Sequence, residues 1–115
     1  AALCLTAPTK AGTQVLADVT QIAATGGYAV VTLSSVTWAE TGAGTGIWQF
    51  SSAAFSWTAS GADFASARYV VIYDDTSTNK DVIGFLDYGA SFTVTNGNSL
   101  TVTPGANGIF RMTVS

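Results

Sequence analysis

The chain has 115 residues, is 48% hydrophobic and only 10% charged, and has a mean hydropathy of +0.37. That composition suits one folded domain and excludes intrinsic disorder, which needs few apolar residues and much charge. Net charge is −3, and the four basic residues (Lys10, Arg68, Lys80 and Arg111) are scattered, so no clustered basic patch is available for nucleic acid or for an anionic membrane surface.

Taken in chain order, the residues read almost entirely as strands. The run Ala1-Ala2-Leu3-Cys4-Leu5 begins without an initiator Met. It reads as a strand entered midway, and further sequence before Ala1 is expected. A first strand is expected over residues 3–6, ended by Ala7-Pro8. Over residues 14–23, Val15, Leu16, Val19 and Ile22 fall at the spacing of one short amphipathic helix, while the β-branched content suits a strand or loop. Gly26-Gly27 breaks the chain, and residues 28–36 read as a strong β-branched strand. Residues 41–46 form a Gly-rich turn between this region and two short strands at 47–50 and 54–58. In the second of these, Phe55 and Trp57 share a face.

Ser60-Gly61-Ala62-Asp63 is the next turn. Residues 68–74 make the clearest strand, apolar on both faces and therefore central, and residues 75–80 form a polar hairpin loop. Residues 81–88 return as its partner, with Gly89 as the stop. Segments 92–95, 100–103 and 109–114 complete the set, separated by Asn96-Gly97-Asn98 and by Pro104 to Gly108. The expectation is an all-β, antiparallel β-sandwich, jelly-roll-like in connectivity, of about 7–9 short strands in a single domain over residues 1–115.

The chemistry-bearing residues are few. With no His and one Cys, the usual general base, nucleophile pairs and zinc sites are missing, and no catalytic or cofactor-binding set is expected. Cys4 lies in an apolar run and reads as a small core residue. Asp74 and Asp87 flank paired strands and could be neighbours, as two carboxylates across a cleft must be. Asp75, Ser77, Asn79 and Asp81 alternate as calcium-loop ligands do, but the sharp-turn Gly and the bidentate Glu are absent and Lys80 sits among them, so a solvated hairpin is the preferred reading. Gly42, Gly44 and Gly46 lack the Lys-Ser/Thr ending of a phosphate loop. Trp38 and Trp48 flank that turn and are the surface candidates, for a subunit interface or for a sugar-stacking platform, whereas Trp57 reads as core.

The stretches Trp57-Thr58-Ala59-Ser60, Ala67-Arg68-Tyr69-Val70-Val71-Ile72-Tyr73-Asp74-Asp75-Thr76 and Val82-Ile83-Gly84-Phe85-Leu86-Asp87-Tyr88-Gly89 resemble the signature of small structural proteins of tailed bacteriophages and prophages. The likeness is good over residues 55–90, weaker before Tyr28, and marks a folding signature with no active site. It implies a non-catalytic virion protein, assembled in the host cytoplasm. A capsid decoration (cement) protein is the first expectation. It would be a homo-oligomer, expected to be a trimer, and would contact the major capsid protein or other virion proteins through Trp38, Trp48 and the glycines of the 41–46 turn. The alternative is a tail- or fibre-associated module that binds host glycan. Neither reading calls for a cofactor, nucleic acid or a membrane.

Overall fold

A computed structural model describes residues 1–9 and 15–113. It is almost entirely β-structure, with eight strands in three antiparallel sheets, consistent with a β-sandwich-like fold. The strands are β1 (Ala2–Cys4), β2 (Thr37–Glu40), β3 (Ile47–Ser51), β4 (Phe55–Thr58), β5 (Phe64–Tyr73), β6 (Val82–Val94), β7 (Ser99–Val102) and β8 (Phe110–Thr113). The sheet orders are β1-β5-β6 and β2-β3-β8, and β4 pairs with β7. The chain forms two compact units, one from Ala1–Val31 and Trp57–Leu100, the other from Thr32–Ser56 and Thr101–Ser115.

The first unit holds most of the core. Strand β5 is central, as its two apolar faces require, and Val70, Val71 and Ile72 are fully buried in succession. Strand β1 lies along one edge of β5 with Leu3 opposite Val70 and Cys4 opposite Tyr69. The other edge of β1 is held by the backbone of the segment that follows. Leu5 N–H donates to Thr20 O (2.7 Å), Ile22 N–H to Leu3 O (3.1 Å) and Val31 N–H to Ala1 O (2.9 Å). The Tyr28 hydroxyl accepts from Leu3 N–H at 3.0 Å and donates to Gln21 Oε1 at 2.9 Å. Ala2, Leu3 and Cys4 are therefore wholly enclosed, and Ala2, Cys4 and Val71 pack with Val19 into one apolar cluster. No polar or charged side chain is buried among the described residues.

Three expected elements differ. The helix over residues 14–23 is a single 3-10 turn, Leu16–Asp18, followed by extended chain, because its β-branched residues are drawn into backbone bonding with β1; residue 14 lies outside the described residues. The strong strand at 28–36 forms no ladder. It makes isolated bonds, such as Ala53 N–H to Ser34 O (2.9 Å) and Trp57 Nε1–H to Ala29 O (3.0 Å), Ser35 takes φ of +50°, and a regular strand begins only at Thr37. High β propensity gives a sheet strand only where a partner runs alongside.

Gly89 does not end β6. The strand continues to Val94, and between the pairs Tyr69–Asp87 and Ala67–Phe92 it carries extra residues against β5. This is a bulge, and Gly89 takes φ of +84° inside it, which a glycine adopts without strain. The last strand, expected to reach residue 114, is described to residue 113.

Candidate functional site

The second unit carries a partly exposed apolar sheet face. Its hairpin, β2 and β3, alternates in period two: Trp38 and Glu40 share one face of β2, and Trp48 and Phe50 share one face of β3. Register places Trp38 opposite Phe50 and Glu40 opposite Trp48. On the far side of β3, Trp48 faces Met112 and Phe50 faces Phe110. One side of the three-stranded sheet is thus made of Trp38, Trp48, Phe50, Phe110, Met112 and Glu40. The indoles of Trp38 and Trp48 stack across the diagonal (centroids 6.0 Å, planes 25° apart), and Phe50 stacks on Phe110 (5.9 Å, 29°). None of the six is buried, and Trp38 and Met112 are each 50% exposed. On the opposite side, which also holds Ala39 and Ile47, Gln49 stands opposite Arg111, and Arg111 Nη2–H donates to Gln49 Oε1 at 3.2 Å.

The Gly-rich turn closes this hairpin. Gly42, Gly44 and Gly46 all have positive φ (95°, 76° and 69°), a sequence of conformations that side-chain-bearing residues resist. Glu40 fastens the turn: its carboxylate accepts the Gly46 N–H at 2.8 Å and the Gly44 N–H at 3.3 Å. Thr45 Oγ1 donates to Gly42 O at 2.9 Å. The one charged group on the aromatic face is thereby committed to the backbone. Trp38, Trp48 and the turn glycines are brought together as one structural feature, with the glycines shaping the turn and the tryptophans forming the surface. Phe50, Phe110 and Met112 were not anticipated. Their own alternation was visible, but the pairing of β3 with β8, some sixty residues later, was not.

The remaining candidates serve the first unit locally. In the 75–81 loop, Lys80 Nζ donates to Asp75 O (2.6 Å) and pairs with Asp75 Oδ1 (3.0 Å), and Ser77 Oγ donates to Asp81 Oδ2 (2.8 Å). Three of the four candidate ligands, Asp75, Ser77 and Asp81, thus bond within the hairpin, and no group of three His, Cys, Asp or Glu placed to hold a metal is found among the described residues. Asp74 accepts from the Thr76 hydroxyl (2.6 Å) and the Thr76 N–H (2.9 Å), and these bonds hold its carboxyl below the usual range. Asp87 accepts from Arg68 Nε (2.9 Å) and Nη2 (3.2 Å) and from Gly89 N–H (2.8 Å), which holds it low as well. The two carboxylates are not neighbours. Asp87 stands opposite Tyr69, five residues down β5 from Asp74 and so roughly 16 Å away along the strand. Cys4 is buried, and burial pushes its thiol up to about 11, the opposite of a reactive thiolate.

Most of the sequence that carries the phage resemblance falls on the β5–β6 hairpin, where Arg68 and Asp87 clamp the strands together. No protein-family model, no curated protein and no solved structure matches the chain.

Proposed function

We propose that this protein is a non-catalytic structural subunit of a tailed-phage virion, most simply a capsid decoration protein that binds the major capsid protein on the outside of the head. The observation that carries the reading is the partly exposed aromatic side of the β2-β3-β8 sheet. A surface of Trp, Phe and Met whose one charged group, Glu40, is bonded to the neighbouring turn has the composition of an interface core, and Trp is the residue most often found to dominate binding energy there. The patch is on the order of a few hundred Å², against about 800 Å² per partner in a standard stable interface. Such a contact gains its strength from repetition, as on a lattice where many copies act together.

The glycan-binding alternative rests on the same two tryptophans. A sugar platform also needs polar groups beside the rings to orient hydroxyls, and Glu40, the polar member of this side, is already bonded to the turn. The protein-contact reading is therefore preferred.

The test is binding to heads assembled without this protein. Wild type is expected to bind and to raise the temperature at which heads open. Trp38→Ala, at a half-exposed position, is expected to leave the isolated protein folded and to weaken head binding by about 2 kcal/mol, roughly thirtyfold. Undiminished binding by Trp38→Ala, or no binding by wild type, would overturn the reading. Quenching of Trp fluorescence by host polysaccharide would favour the alternative.

A further inference from the structure

We propose that Asn107, in the turn entering β8, is a site of spontaneous deamidation, and that the fold protects the chemically similar Asn96. Both residues precede glycine, the neighbour that hinders the following amide nitrogen least. In the reaction the Gly108 amide nitrogen gives its proton to solvent hydroxide and forms a C–N bond to Asn107 Cγ. The side-chain nitrogen leaves as ammonia. Water then opens the succinimide ring at either carbonyl, leaving aspartate or isoaspartate. The side chain must be able to swing onto the next nitrogen, and that N–H must come out of its hydrogen bond.

The two turns differ on both requirements. At Asn96 the side-chain Oδ1 accepts from Gly61 N–H at 2.9 Å, and the backbone N–H donates to Asp63 Oδ1 at 2.7 Å. The attacking nitrogen, Gly97 N, donates at 2.8 Å to the carbonyl of Ala59, a wholly buried residue. Opening that bond means disturbing the packed first unit. At Asn107 the side chain is exposed and has no hydrogen-bond partner among the described residues. Gly108 N–H is held only across its own turn, by exposed Gly105 O at 2.9 Å. Bonds of that kind open locally at small cost, long before the core does.

The consequence reaches the aromatic side of the sheet. Ile109 N–H donates to Phe50 O at 2.7 Å, so the turn sets the register of β8 on β3 and with it the Phe50–Phe110 stack. Isoaspartate inserts an extra backbone carbon two residues before Ile109, and either product adds a negative charge to the turn that leads into β8.

The experiment is incubation of the folded chain at mildly alkaline pH, with position-resolved fragmentation mass spectrometry of Asn96 and Asn107, and the same incubation in denaturant. In the folded protein, conversion at Asn107 is expected to run at least several-fold faster than at Asn96, and unfolding is expected to abolish the difference. Equal rates in the folded chain, faster conversion at Asn96, or an unchanged Asn107 over a period in which the denatured chain converts both would each overturn the proposal.

Discussion

At the scale of single residues, burial decides chemistry. Ala1 is nearly enclosed, its amino group donates to Val31 O at 2.6 Å, and burial lowers the amine from its ordinary 8.0 to about 6. In a chain that begins at Ala1 the folded state therefore favours the neutral amine, and the unfolded chain binds the extra proton between these two values. Stability on this account is complete above about pH 8, falls as pH drops toward 6, and is flat below. Allowing for solvent screening, the fall is about 1–2 kcal/mol. A chain whose first residue is Ala1 should show this step in denaturant titrations across pH, and acetylating the amine should remove it. Asp74 and Asp87, held low by hydrogen bonds, act at the other end of the scale. Their contribution is present above the ordinary carboxylate range and is lost as pH falls below it.

At the scale of elements, turns and bulges carry the exceptions to the pattern. The bulge in β6 requires positive φ at Gly89, yet a Cβ there would meet nothing. The cost of substitution is thus conformational alone. Gly89→Ala is expected to lose about 1 kcal/mol and Gly89→Asn distinctly less, since Asn tolerates left-handed backbone. Equal losses in thermal melts would show that the bulge is not held in that conformation. The 75–81 hairpin makes a separate prediction. With Lys80 on Asp75 and Ser77 on Asp81, the melting temperature should be the same in calcium and in chelator, and a calcium-dependent rise would mean that these bonds yield to an ion. Both elements show how far the pattern of residues reaches. The β5–β6 hairpin was legible because Val70, Val71 and Ile72 leave no polar face and a polar loop follows. The continuation of β6 past Gly89 was not, because a glycine that ends a strand and one that relaxes a bulge look alike in one dimension.

At the scale of the whole molecule, the first unit encloses β1 completely: Ala2, Leu3 and Cys4 have no exposed surface. Cys4, the sole cysteine, sits in the middle of that strand, fully buried. Its labelling by a thiol reagent should therefore report opening of the packed unit. The expected rate is negligible in native buffer and rises with denaturant in parallel with loss of tertiary structure. Fast labelling under native conditions would show that β1 detaches on its own.

Composition and alternation were enough to determine that this chain is an antiparallel β protein and that Phe55 and Trp57 point inward. These are local consequences of a period of two and of the cost of leaving apolar groups in water. Tertiary structure alone decided which strands meet. Residues 28–36, though rich in β-branched residues, form no ladder, only isolated bonds such as the pair between Val31 and Ala1. The modest Phe110–Thr113 becomes a sheet strand because Ile47–Ser51 offers it an edge. The aromatic face exists only through that pairing: Trp48 and Phe50 gain Met112 and Phe110 from a segment distant in the chain, and no local pattern can announce a partner that folding brings from so far away.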